Sequence, residues 1–239
     1  MLTAHEVLAR RDQPIDLVIF DCDGVLIDSE GVASIVLSRE LQKLGWMISA
    51  QECETLFLGT SLRDIIAKTE AATGRAVPPD FKETFSAAMI AALREDVDAI
   101  PGAAAALEAL TEAGMPWRVA SNSSHEEMAV KFGRTGMVHL VGDRRHSAED
   151  MMRIGLNGKP DPHLFLAAAE AAGVPPARCV VIEDSIPGSR AARRAGMTCL
   201  GFSPHASGIE LAAEGAGVFK AMADLPALLG LRKRVAKAC

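Results

Sequence analysis

Leu17-Val18-Ile19-Phe20-Asp21-Cys22-Asp23-Gly24 decides the architecture of this 239-residue chain. Four apolar residues in a row, without alternation, suit a central strand of a parallel sheet covered on both faces. The run ends in a polar cluster, as a strand does where it leaves the sheet. Two later segments repeat the design. Trp117-Arg118-Val119-Ala120 runs into Ser121-Asn122-Ser123-Ser124, and Cys179-Val180-Val181-Ile182 runs into Glu183-Asp184-Ser185. Apolar spacing between and after them predicts helices over 103–113, 125–133, 162–172 and 188–195, the second opened by a capping box of Ser124 with Glu127. Strands alternating with such helices imply βαβ units, so the fold class is α/β, a Rossmann-like doubly wound parallel sheet.

Residues 29–98 break the rhythm. Apolar side chains recur there at helical spacing, with Leu37, Leu41 and Leu44 on one face, then Leu62, Ile65, Ile66 and Thr69, then Phe81, Phe85 and Met89. Ser49 with Glu52 forms another capping box, and Gly45, Gly59, Gly74 and Pro78-Pro79 punctuate the segments. The expected organisation is a core of residues 1–28 and 99–239 with a helical domain, 29–98, inserted after the first strand. The sheet pattern resumes at Ile100-Pro101-Gly102.

Composition narrows the function. Hydrophobic residues make up 49% and charged residues 23%, the profile of an ordinary globular protein. A formal charge of -6 argues against nucleic acid or an anionic membrane as the main partner. The first sixteen residues mix His5, Glu6, Arg10, Arg11 and Asp12 among apolar ones, unlike a signal peptide, and no run approaches the ~18 apolar residues of a membrane span. Five scattered cysteines, Cys22, Cys53, Cys179, Cys199 and Cys239, contain no CxxC pair, which points to reduced thiols and a cytoplasmic setting rather than zinc or disulfides. The six histidines show no metal-ligand spacing, and the basic run Arg232, Lys233, Arg234 and Lys237 is expected to be a solvated tail.

In an open parallel sheet, ligands bind at the carboxyl ends of the strands, where helix N-termini present positive ends. If the three strands are neighbours, Asp21, Asp23, Glu183 and Asp184 converge there. Carboxylates crowded in one cleft repel one another, and a hard divalent cation with oxygen ligands settles such a cluster. Magnesium suits it, because it accepts few carboxylates and takes the rest of its shell from water and phosphate. Lys159 with the donors at Ser121 and Asn122 would hold the remaining phosphate oxygens. Each element alone is ambiguous, since acidic residues at strand ends also cap turns and Lys159 could be a surface lysine. Their conjunction points to phosphoryl chemistry on a small phosphate ester.

These residues resemble the four motifs of the haloacid dehalogenase superfamily in its phosphatase branch. Residues 21–30, Asp21 to Glu30, look like the first; Val119-Ala120-Ser121-Asn122 like the second; Lys159-Pro160-Asp161-Pro162 like the third; Glu183-Asp184-Ser185 like the fourth. The resemblance runs from about Leu17 to at least Phe202, and the helical insertion is similar to that superfamily's C1 cap of the β-phosphoglucomutase-like type. It implies that Asp21 is a nucleophile forming an aspartyl-phosphate and that Asp23 is the general acid/base. It also implies that Mg2+ is held by the Asp21 side chain, the Asp23 backbone carbonyl and Asp184, with Glu183 acting directly or through water. Ser121, Asn122, Lys159 and Gly24 are then the expected phosphate contacts, and Glu30, Thr60, Ser61 and Arg63 the expected substrate contacts of the cap. A monomer or weak dimer is expected.

Within that family, Asp23 disfavours haloacid dehalogenases and phosphonoacetaldehyde hydrolases, which lack an acid there. The phosphoglucomutases carry a histidine twelve residues after the nucleophile, where this chain has Ala33, and an arginine directly after a Gly-x-Ser element, where Gly59-Thr60-Ser61 is followed by Leu62 with Arg63 one place later. A phosphatase, closest to the 6-phosphogluconate type, is therefore expected over a phosphomutase. A non-catalytic phosphoacceptor or binding protein is the reading from another class. It has little need of an intact Asp23 or of an inserted helical domain.

Overall fold

A computed structural model describes residues 2–57, 60 and 62–231. Gly59, Ser61 and the basic run Arg232, Lys233, Arg234 and Lys237 lie outside the described residues. Eight strands lie in the order β1 (Leu17–Phe20), β2 (Ile27–Asp28), β3 (Asp98–Ala99), β4 (Trp117–Ser121), β5 (Arg145–Ser147), β6 (Cys179–Glu183), β7 (Thr198–Phe202) and β8 (Gly217–Phe219) among the described residues. The helices of the N-terminal half are α1 (Ala4–Ala9), α2 (Glu30–Lys43), α3 (Ala50–Phe57), α4 (Leu62–Thr73), α5 (Phe81–Glu95) and α6 (Ala103–Glu112). Those of the C-terminal half are α7 (His125–Arg134), α8 (Val138–Val141), α9 (Ala148–Arg153), α10 (His163–Ala171), α11 (Ile186–Arg194), α12 (Ile209–Ala213) and α13 (Leu225–Leu228).

Six strands form one parallel sheet in the order β5-β4-β1-β6-β7-β8. The three apolar runs are neighbours, as expected: Phe20 lies beside Val119 of β4 and Ile182 of β6. β1 is fully buried, and its residues divide between two cores by the period of two that a strand imposes. Val18 and Phe20 join Leu107 and Leu110 of α6 and Met128 and Phe132 of α7 on one face. Leu17 and Ile19 join Leu164 and Phe165 of α10 and Ala191 of α11 on the other. Each large apolar side chain buried this way contributes ~1.5–3 kcal/mol relative to exposure. Both faces being covered is why the run reads as uniformly apolar.

Helices α2 to α5 pack as a bundle with its own cluster of Leu37, Leu41, Ile48, Cys53, Phe57, Ile65 and Phe81. The Ser49–Glu52 capping box is present, with Ser49 N–H donating to Glu52 Oε2 at 2.8 Å. Met89 and Leu93 of α5 turn instead toward the main core. The sequence reading named no strand at the two crossings into this bundle. The structure has one at each: Ile27 pairs with Ala99 and Asp28 with Asp98, an antiparallel ribbon of β2 and β3. Two residues a side are too few to show a period. No helix of the described residues is long and apolar enough to cross a membrane.

Candidate active site

β1 delivers Asp21 and Asp23 to the carboxyl edge of the sheet, at the point where strand order reverses between β4 and β6. Asp21 N–H donates to Ile182 O at 2.9 Å, continuing the ladder one residue past the strand and fixing the carboxylate beside β6. Cys22, between the two aspartates, is buried in the core, and burial pushes its thiol well up. Packing is its use. The chain then turns at Gly24, whose φ of 69° favours glycine, and a Cβ there would collide with the Asp184 carboxylate. Gly24 thus admits Asp184 to the site, a use other than the phosphate contact expected of it.

Lys159 stands between two acids. Its buried ammonium donates to Asp21 Oδ1 and to Glu183 Oε1, both at 2.7 Å, and lies 4.8 Å from the centre of the Phe165 ring. Asn122 sets that position: Lys159 N–H donates to Asn122 Oδ1 at 2.9 Å and Asn122 Nδ2 returns a bond to Lys159 O at 3.2 Å. The Asn122 side chain therefore braces the lysine segment rather than reaching into the site. Glu183 is equally committed. Its Oε2 accepts from Asp184 N–H, Ser185 N–H and Ser185 Oγ at 3.0, 3.0 and 2.8 Å, and Gly188 leaves the room its carboxylate occupies. Ser185 in turn caps α11, accepting from Gly188 N–H at 3.1 Å.

Asp23 lies in a different setting. Lys131 donates to its Oδ1 at 2.6 Å, and Ser29 donates to the same oxygen. Ser123 donates to Oδ2 at 2.8 Å and Ser121 at 3.3 Å. Lys131, Ser29 and Ser123 were not singled out from sequence. The signal for Lys131 was available: it sits on α7 between Met128 and Phe132, on the face those residues bury, where an ammonium has no place without a partner.

These settings separate the two aspartates. Burial, with Glu183 and Asp23 nearby, outweighs the Lys159 ammonium and pushes Asp21 up to about 7. For Asp23 burial also acts upward, but Lys131 and the bonds from the Ser29 and Ser123 hydroxyls outweigh it and hold the carboxyl at about 2. Asp184 is pushed well above the ordinary carboxylate range by burial and by Glu183, Asp21 and Glu30. One ammonium, Lys159, thus faces Asp21, Glu183 and Asp184, whose ligand oxygens lie within 4.8 Å of one another. This cluster is short of positive charge and offers only hard oxygen donors, a set that fits a divalent cation such as Mg2+.

A cavity of about 330 Å3 separates the strand ends from the bundle. Asp21, Asp23 and Asp184 line one side, and Glu30, Ala33, Leu37, Phe57 and Thr60 line the other. Glu30 is half-buried, and burial raises its carboxyl, with Asp28, Glu54 and Asp23 adding to the rise. Arg63 is exposed and is not part of this lining, so the structure does not bring it to the site with Glu30 and Thr60.

A model of the family described as haloacid dehalogenase-like hydrolase matches residues 15–196. The chain belongs to the haloacid dehalogenase-like hydrolases. It is an enzyme of their phosphatase branch. It is 33% identical over 194 residues to a 6-phosphogluconate phosphatase of Escherichia coli, which covers 80% of this chain and 85% of that protein. Two solved structures share its fold across nearly their whole length. A hydrolase of this family from Deinococcus radiodurans with bound phosphate and sodium has a TM-score of 0.75 and 35% identity, covering 93% of this chain and 99% of that one. A conserved haloacid dehalogenase-like protein of unknown function from Agrobacterium tumefaciens has a TM-score of 0.78 and 34% identity, covering 90% and 98%.

Proposed function

We propose that this hydrolase is a magnesium-dependent phosphatase of small phosphate monoesters, sugar phosphates above all, working through an aspartyl-phosphate on Asp21. The observation that carries the reading is the pair of aspartates at the end of β1 in unlike settings, one bonded to Lys159 and the other to Lys131. Pairs of carboxyls whose surroundings push their proton affinities apart take different roles in catalysis.

Asp21 attacks phosphorus in line, forming a new O–P bond as the ester P–O bond breaks. Lys159 holds Asp21 Oδ1, which fixes the carboxylate for attack and places a positive charge beside the transferring group. Asp23 gives its proton to the departing alkoxide, then takes one from the water that cleaves the aspartyl-phosphate. Its ionised resting form is ready for the second task. A docked phosphate dianion raises its proton affinity for the first, with the proton drawn from solvent. The Ser121 hydroxyl at the end of β4 and the Asn122 main-chain N–H that follows it are the donors for phosphoryl oxygens. Mg2+, held by the Asp21 and Asp184 side chains and the Asp23 carbonyl with Glu183 braced behind them, would neutralise charge between nucleophile and phosphate.

On this reading residues 29–98 are a cap over a catalytic core of 1–28 and 99–239, and the cavity between them selects the leaving group. The E. coli relative supports a sugar-phosphate class. Ala33 lines the cavity where phosphomutases of this fold carry a histidine, which favours transfer to water over transfer to a second sugar. The test is phosphate release from a panel of small esters, including 6-phosphogluconate and β-glucose 1-phosphate, with magnesium and with excess EDTA. Magnesium-dependent release supports the reading. Conversion of β-glucose 1-phosphate to glucose 6-phosphate without phosphate release would replace it with a mutase.

A further inference from the structure

We propose that Lys131 is a positioning residue for this reaction: its ammonium and the Ser123 hydroxyl hold the Asp23 carboxylate in the orientation from which it serves the leaving-group oxygen. This rests on the phosphatase reading above. Lys131 Nζ lies 2.6 Å from Asp23 Oδ1 and 2.7 Å from Ser123 Oγ, and Ser123 Oγ lies 2.8 Å from Asp23 Oδ2. The three groups close a ring in which each oxygen of the carboxylate is tied to a separate donor. Rotation of the carboxylate breaks one of those bonds, so its plane is fixed.

The fold supplies the ring from three places. Asp23 hangs from the end of β1, Ser123 precedes α7 after β4, and Lys131 reaches back from two turns along α7. The Lys131 side chain is 3% exposed, while that of Asp23 is 32% exposed toward the cavity. A nearly buried charge at the cavity wall therefore holds the aspartate, whose own carboxylate stays open to the cavity. Packing alone does not call for a lysine here. Met128 and Phe132 flank it on the buried face of α7, and an apolar chain would fill the space without the desolvation penalty an ammonium carries. Nor is Lys131 placed to bind substrate itself, since two of its three donors are spent inside the ring.

The experiment is a double-mutant cycle read with two esters: the best alkyl sugar phosphate of the panel, and p-nitrophenyl phosphate, whose leaving group departs without a proton. Turnover by the wild-type enzyme tests the phosphatase reading by itself, and its absence there would remove both claims. With turnover present, Lys131→Met is expected to lower kcat/KM for the alkyl ester by about tenfold to a hundredfold and that for the aryl ester by far less. KM for the alkyl ester should stay within about twofold. In an Asp23→Asn background the same substitution should cause no further loss, because the group it acts through is gone. Should Lys131→Met fail to fold, Ser123→Ala opens the ring while leaving both charges paired, and a smaller loss confined to the alkyl ester is expected. Equal losses on both esters, or losses that multiply with that of Asp23→Asn, would overturn the proposal and make Lys131 a contact of the phosphoryl group or a structural residue.

Discussion

At the scale of single residues, the site trades stability for chemistry, and Asp184 carries the clearest case. It is buried among Glu183, Asp21 and Glu30, which together oppose its charge more strongly than the nearby Lys159 ammonium favours it. Replacing it by asparagine keeps its shape and removes that repulsion. In EDTA, Asp184→Asn should melt about 2–4 °C above the wild type, the shift that ~1 kcal/mol brings in a domain of this size. Magnesium should raise the melting temperature of the wild type by mass action and leave the variant unmoved. A variant that melts lower without metal, or gains as much from magnesium, would show that Asp184 is neither strained nor a ligand. The nucleophile has a simpler test. Asp21→Asn should lower kcat by more than about a thousandfold with an unchanged circular dichroism spectrum, and appreciable residual turnover would remove Asp21 from that role.

Secondary-structure elements explain what sequence could and could not reveal. Helices α6, α7, α10 and α11 lie within two residues of their expected bounds, because an apolar stripe and, for α7, a capping box mark them in the sequence. β5, β7 and β8 were not named. β5 is three residues of Arg145-His146-Ser147 at the sheet edge, with no apolar signal, and Gly201 interrupts β7. Asp21 and Asp184 were legible because each follows directly on a strand, and Lys159 because it sits in the turn that leads into α10. The buried face of α7 marks Lys131 as an ammonium in need of a partner, but that partner, Asp23, is 108 residues away and only tertiary contact joins them. β5 also carries a pH-dependent contribution. His146 is half-buried, with Arg118 Nη1 3.4 Å from its Nε2. Burial, then Arg118 and His125, lower its proton affinity against the opposing pull of Asp150. Its native pKa thus lies below its unfolded value, so the stability it lends is present above pH ~6.5 and is lost as pH falls toward the native value. The wild type should lose more melting temperature between pH 7.5 and 5.5 than His146→Gln does, and parallel slopes would refute this.

The whole molecule sets what the site accepts. On the proposed function, strand ends supply the phosphoryl chemistry and the bundle on the far side of the cavity meets the rest of the ester. That far side is largely apolar, with Leu37, Phe57, Ile65, Phe85 and Met89 among its residues and Glu30 and Thr60 among its polar ones, while Glu127 of α7 adds a carboxylate from the strand-end side. Lys131 is the sole cation among the described lining residues, and its charge is spent on Asp23. A leaving group bearing its own carboxylate or second phosphate would therefore meet Glu30 and Glu127 without a compensating charge, a like-charge juxtaposition in a confined space. A neutral polyol carries no charge for those carboxylates to oppose, and its hydroxyls can donate to them. We expect kcat/KM for a neutral hexose or hexitol monophosphate to exceed that for 6-phosphogluconate by roughly tenfold, the ratio ~1.4 kcal/mol of differential transition-state interaction produces. Glu127→Gln, which removes one of the opposing charges outside the catalytic set, should narrow that ratio by raising the value for 6-phosphogluconate while leaving the neutral ester nearly unchanged. Steady-state kinetics on the two esters decides it. A preference for 6-phosphogluconate that survives in Glu127→Gln would mean that a cation from outside the cavity lining pairs with the substrate carboxylate, with the exposed Arg63 as the nearest candidate in sequence to Thr60.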